Sequence, residues 1–194
     1  LRSLGSSAPV LWSANFSLGV AVLSRALQTV SGVLKPDYDI EITETHHNQK
    51  ADAPSGTAMS LARALQEQYP GGKDFVYDRH SVRQKRQKRE IGIHSVRGGT
   101  IVGEHEVLFL GRDEVVEINH RAYSKQVFAV GALRAASFLL GKQNGLYNMQ
   151  DIVNESNVAS HVSAIEGQAI LHISGLPADG KIKFRAEINQ WRKM

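Results

Sequence analysis

Between Glu44 and Thr57 the chain reads Glu-Thr-His-His-Asn-Gln-Lys-Ala-Asp-Ala-Pro-Ser-Gly-Thr, which sets His46, His47 and Lys50 just ahead of a turn that opens into helix-forming residues. A helix start leaves its first amides unpaired and carries the positive end of the helix dipole, so Gly56 and Thr57 are suited to a carboxylate or phosphate. Lys50 and a protonated histidine would add charge, and the hydroxyls of Ser55 and Thr57 would add donors. Imidazole titrates near neutrality, and a lysine beside other cations can have its pKa lowered into the same range. Either could pass a proton to a bound anion. The same residues also read as a strand end followed by an ordinary helix start, and chemistry alone does not separate the two. No metal is expected: His46 and His47 are adjacent, so they point to opposite sides of an extended chain, and no carboxylate–histidine spacing typical of zinc enzymes is present.

The elements that must position these residues show in the periodicity. Tyr38, Ile40 and Ile42 alternate with Asp39, Glu41 and Thr43, as in a half-buried strand running into His46. Residues 58–68 are good helix formers, started by Asp52 to Thr57 and stopped by Pro70-Gly71-Gly72. Upstream, Pro9 to Ala14 reads as a buried strand. A helix capped by Asn15 or Ser17 follows to about Val30, broken by Ser31-Gly32 and Lys35-Pro36. Downstream, strands are expected over about Glu90–Val96, Ile101–Leu110 and Val115–His120, then an apolar helix over Gln126–Leu140 closed by Gly141. The expected fold is α+β, with a mixed β-sheet of about four strands carrying helices on one face. At the end, Ser163–Ser174 and Lys181–Ile188 resemble two strands joined by a turn-rich segment, a possible β-hairpin.

At 194 residues, 42% hydrophobic and 22% charged, the chain is of a size to bury a core. It has no cysteine, which excludes disulfides, thiolate metal sites and cysteine nucleophiles. No run of about 18 apolar residues and no signal-like start is present, so a soluble, cytoplasmic protein with no membrane association is expected. The net charge of +4 is concentrated in Arg79–Arg89. That stretch lacks interleaved aromatic residues, so it reads as a solvated loop or an edge near a phosphate-bearing cofactor more readily than as a nucleic-acid site.

Several separate segments resemble dihydrodipicolinate reductases of bacterial lysine biosynthesis. Glu44 to Thr57 is similar to that family's signature, and Trp12 to Val20 to the segment entering its second domain. Val96 to His105 resembles its sheet motif, while Gly131 to Arg134 and Gly145 to Met149 resemble its closing helix and C-terminal segment. The likeness covers about Pro9 to Val153. It implies His46 as general acid and Lys50 as a second proton donor. His47, Gly56 and Thr57, alongside the Ser55 hydroxyl, would hold the carboxylates of a cyclic dicarboxylate substrate. Ser13, Ala14, Asn15 and Phe16 would lie against the nicotinamide end of NADH or NADPH, which supplies hydride, and a homotetramer would form through the sheets. Arg134 would sit where the last helix rejoins the cofactor domain. Arg97, Glu104 and His105 are assigned to sheet structure and inter-subunit contacts.

The resemblance also implies a preceding dinucleotide-binding domain with a glycine-rich loop, which this sequence does not contain. Residues 1–16 then read as a remnant of that Rossmann-type domain and hinge, 17–130 as the substrate-binding and oligomerisation domain, 131–153 as a closing helix and segment, and 154–194 as an unassigned tail. Apolar faces near Val10–Trp12 and Leu133–Leu140 are expected to be exposed. The chain is expected to be a piece of the reductase, inactive by itself. The alternatives are a non-catalytic oligomeric dicarboxylate-binding module or a polyanion-binding protein acting through Arg79–Arg89.

Overall fold

The computed structural model describes residues 2–155 and 181–183. In chain order the elements are α1 (Arg2–Gly5), β1 (Pro9–Leu11), α2 (Leu18–Leu34), β2 (Asp39–His46), α3 (Gly56–Gln66), β3 (Asp74–Val76) and β4 (Glu90–Arg97). They continue with β5 (Gly103–Leu110), β6 (Val115–Ala122), α4 (Gln126–Leu139), β7 (Gly145–Tyr147), a helix α5 over 149–155, and β8 (Lys181–Lys183). The fold is α+β, as the periodicity indicates. Its main sheet has the order β3-β4-β2-β5-β6-β8 and is mixed: β2 runs parallel to β4 and antiparallel to β5. The four strands expected from sequence are its centre. β3 and β8 are three-residue additions too short to show a period.

Alternation does the positioning. On β2, Ile40, Ile42, Glu44 and His46 are buried on one face. Ile40 is flanked by Ile91 and Phe109, and Ile42 by Ile93 and Val107, so three strands present one apolar surface. Leu23 and Leu27 of α2 and Ala58, Leu61 and Leu65 of α3 cover that surface and form one core. Each fully buried aliphatic side chain there contributes about 1.5–3 kcal/mol. The core also explains why α2 continues past the expected break at Ser31-Gly32. Ser31 is buried, its hydroxyl bonds the Gln28 carbonyl, and Val30 and Leu34 still pack on the core. The helix ends where Lys35 precedes Pro36, a position that disfavours helical backbone.

A second, smaller cluster joins Ala21 of α2 to Ala135 of α4 and to Met149, Ile152 and Val153, with Leu11, Phe16 and Phe138 against it. Here β1 pairs in parallel with β7. Phe138 is therefore packed, whereas Trp12, Leu133 and Leu140 are 56%, 70% and 81% exposed, as expected for this face. The expected strand over 163–174 lies outside the described residues. Of the second tail strand only 181–183 is described, and it pairs in parallel with β6.

The basic stretch is tied to the outer face of the sheet at β2 and β4. Arg79 bonds Glu41 and Glu90 at 2.8 and 2.7 Å, Arg86 bonds Asp39 and Glu41 at 2.8 and 3.0 Å, and Arg89 lies 3.4 Å from Asp74. Much of its charge is thus met within the chain.

Gly131 is where α4 meets the turn before α2, because a Cβ there would stand 1.7 Å from the Phe16 carbonyl oxygen. Gly131→Ala should cost about 1–3 kcal/mol in thermal denaturation. Gly32→Ala, in the interior of α2 with nothing within 4 Å of the added carbon, should instead gain about 0.5–1 kcal/mol.

Candidate active site

Glu44 sits on the apolar face of β2 and is fully buried, which for a carboxylate demands partners. It has them on both oxygens. Arg97, at the paired end of β4, donates from Nη1 to Oε2 at 2.9 Å and from Nη2 to Oε1 at 2.7 Å. Oε1 also accepts the Ser55 amide at 3.1 Å, and Oε2 lies 2.5 Å from His46 Nδ1. Burial alone would raise the Glu44 pKa. Hydrogen bonds from Arg97, Ser95, His46 and the Ser55 amide outweigh it and hold it at about 2.

Those two oxygens bring His46 and the start of α3 together. Ser55 is the N-cap of α3: its hydroxyl accepts from the Ala58 amide at 3.1 Å, leaving the Gly56 and Thr57 amides without a partner inside the helix. A Cβ on Gly56 would meet nothing within 4 Å, so the first turn of α3 opens outward. Ser55 itself differs from the expected ligand contact. It is buried, and its hydroxyl also faces His105 Nε2 at 3.2 Å, so it supports the turn from behind.

His105 was expected among exposed polar residues of the sheet. It is instead buried on the helix side of β5, edge-on to His46 with ring centroids 5.2 Å apart. Burial, with the nearby His46 and His120, lowers its pKa to about 4 and keeps the ring neutral at neutral pH. Arg97 is likewise part of this cluster through Glu44. Of the three residues assigned to the sheet, only Glu104 lies on the outer face, 3.4 Å from Arg121. The missed signal was in the period: Glu44 keeps step with Ile40 and Ile42, and His105 with Val107 and Phe109, two residues apart on the same face.

The remaining candidates surround this cluster. Lys50 pairs with Asp52 at 2.7 and 2.9 Å, and Arg97 Nη2 donates to the Asp52 carbonyl at 2.6 Å, so one guanidinium fixes both the carboxylate and the lysine loop. The loop is further held by the His47 amide on the Ile101 carbonyl at 2.7 Å and the Asn48 amide on the Gly99 carbonyl at 3.2 Å. Asn15 Nδ2 donates to Thr57 Oγ1 at 2.9 Å, while Asn15 Oδ1 accepts the Ser17 amide at 2.7 Å. Ser13 closes the same turn on the Asn15 carbonyl, Ala14 is exposed, and Phe16 packs inward. Arg134 is exposed on α4. Behind α2, Ser17 Oγ lies 3.4 Å from His120 Nε2, and burial lowers the pKa of that ring also. Among the described residues no group of three or more His, Asp or Glu side chains is arranged to hold a metal ion.

An imidazole on a carboxylate, next to open helix amides and a lysine, can hold an anion and exchange a proton with it. The chain is similar to known proteins. Residues 19–153 match the family model described as dihydrodipicolinate reductase, C-terminus. The chain is 48% identical over 149 residues to the 4-hydroxy-tetrahydrodipicolinate reductase of Clostridium novyi, covering 77% of this chain and 59% of the relative. It is 50% identical over 152 residues to that of Staphylococcus saprophyticus, covering 78% and 62%. It thus spans about 60% of the length of these relatives. A dipicolinate-bound dihydrodipicolinate reductase from Paenisporosarcina sp. TG-14 superposes with TM-score 0.59 at 27% identity, over 73% of this chain and 54% of that one.

The buried groups make stability fall with acid. His105, at about 4 against 6.5 unfolded, is bound by protons more readily in the unfolded chain, so stability is full above about 6.5 and declines toward pH 4. Glu44, at about 2 against 4.5, adds a loss as pH falls from about 4.5. Urea titrations across this range should show both. His105→Gln, which keeps a polar partner for Ser55, should remove a decline on the order of 3 kcal/mol between about pH 6.5 and 4.

Proposed function

The chain belongs to the dihydrodipicolinate reductase family, whose C-terminal part it carries, and on that premise we propose that it forms the substrate half of a 4-hydroxy-tetrahydrodipicolinate reductase. The observation that carries this reading is the sharing of one carboxylate, Glu44, between His46 and the N-terminus of α3. A cyclic dicarboxylate fits such a site. The Gly56 and Thr57 amides take one carboxylate, with His47 and Lys50 adding donors and charge. His46 then stands as general acid beside the held ring and Lys50 as the second proton donor. The dipicolinate bound to the Paenisporosarcina enzyme supports a ligand of this class.

NADH or NADPH, when bound, supplies the hydride. The fit of this chain to the cofactor rests on the turn at Ser13, Ala14, Asn15 and Phe16. Through Asn15 that turn is tied to Thr57, so a group resting on it neighbours a ligand on the α3 amides. The described residues offer no glycine-rich loop between a strand and a helix for the pyrophosphate, so the turn meets only the nicotinamide end. The reaction belongs to lysine biosynthesis in the cytoplasm, and no described helix is long and apolar enough to cross a membrane.

A homotetramer is part of the same proposal. No described core cluster covers the outer face of the sheet, where Thr43, Glu106 and Asn119 stand in register across β2, β5 and β6, with Leu108 next along β5 between Glu41 and Glu117. Sedimentation should give a mass four times that of the chain, falling on Leu108→Arg, which puts a charge in the centre of that face.

The direct test is calorimetric titration of the chain with dipicolinate. Binding is expected, weakened on the order of tenfold to a hundredfold by Lys50→Ala and by His46→Ala, as for loss of a charge-assisted hydrogen bond. Unchanged affinity in both variants would overturn the assignment of the site.

A further inference from the structure

Resting on the pocket just proposed, one residue of the site has a task that neither the motif nor the family relationship assigns. Glu44 is clamped by two nitrogens of Arg97 and by the Ser55 amide, all of which donate to it. Three donors fixed on one buried carboxylate require it to be the acceptor throughout. The partner that remains to be assigned, His46 Nδ1 at 2.5 Å, must then be a donor as well. A ring whose Nδ1 always carries a hydrogen has one nitrogen left for chemistry. Nε2 has no protein hydrogen-bond partner among the described residues, and it passes close over the β5 backbone, where a Cβ on Gly103 would stand 2.9 Å from it.

We propose that Glu44 is a positioning residue that locks His46 in the Nδ1–H tautomer, so that its ring exchanges a proton with the bound dicarboxylate through Nε2 alone, over clearance provided by Gly103. Arg97 serves the same end from one step further out. It keeps Glu44 an acceptor and, through the Asp52 carbonyl, holds the Lys50 loop in register with the ring. The arrangement is the carboxylate–imidazole pairing that fixes which nitrogen is available in many proton-transfer sites. Here the carboxylate lies two residues before the histidine on the same strand, so β2 geometry alone keeps the two side chains on one face.

Nitrogen-15 spectra of the histidine side chains of the full chain, recorded where the rings are neutral, test this without any turnover. The His46 Nδ1 signal should be that of a protonated ring nitrogen and Nε2 that of a bare one. An Nε2–H ring in the unsubstituted chain overturns the proposal by itself, whatever the variants do. In Glu44→Gln, whose amide can donate as well as accept, the Nδ1–H preference should be lost, and Glu44→Asp should restore it in part. A tautomer unaltered in Glu44→Gln overturns the positioning role even if dipicolinate still binds. Dipicolinate that fails to bind the unsubstituted chain overturns the pocket on which the proposal rests, a separate failure read by calorimetry. Gly103→Ala should leave the tautomer intact while weakening dipicolinate at least about tenfold. Unchanged affinity there removes Gly103 from the proposal.

Discussion

A carboxylate buried among aliphatic side chains on the inner face of a sheet is costly unless its lone pairs are used, and Glu44 uses them on three parts of the chain, one of which reaches on to a fourth. Arg97 brings the end of β4, His46 the end of β2, Ser55 the start of α3, and Arg97 again the loop of Lys50 and Asp52. Removing any one partner would leave a buried charge short of hydrogen bonds, which is more expensive than the bond itself. The local geometry of the site is therefore fixed by solvation requirements, and its polar groups are held where they are before any ligand arrives.

The apolar core makes that arrangement possible. Ile40, Ile42, Ile91, Ile93, Val107 and Phe109 form a dry surface under α2 and α3, and the same strands carry Glu44, His46 and His105 just beyond it. Low local polarity makes each hydrogen bond of the cluster stronger and keeps His105 uncharged beside His46. A neutral His105 can stand edge-on to the His46 imidazole and support the cap of α3 without adding a second charge beside it.

Helix α2 links this body to the second cluster, since Leu23 and Leu27 face the sheet while Ala21 faces α4 and α5. The turn that precedes α2 is pinned three ways: by Asn15 to Thr57, by Ser17 near His120, and by the Phe16 carbonyl against Gly131. Ser13 to Phe16, proposed to meet the nicotinamide, thus stand at a junction of packed elements, tied through Asn15 to Thr57 of the proposed carboxylate site.

Much of this was legible in the amino-acid order. The two-residue period placed β2, β4, β5 and β6, the turn from Asp52 to Thr57 marked the start of α3, and the Glu44–Thr57 segment gathered the residues proposed for an anion, because alternation and capping are local properties of the chain. The family relationship followed from several motifs in fixed order. Local properties could not reveal that Ser31-Gly32 lies inside a helix, since burial against the core outweighed two poor helix formers there. Nor could they show that Arg97 and His105, each on a strand distant in sequence from Glu44, turn inward, Arg97 to bond Glu44 and His105 to meet the Ser55 hydroxyl, or that Arg79 and Arg86 spend their charge on Glu41, Glu90 and Asp39. Strand register decides those partnerships. It is set by the pairing of whole strands over the common core, so the sequence determined which groups could do chemistry, and the tertiary structure decided which of them meet.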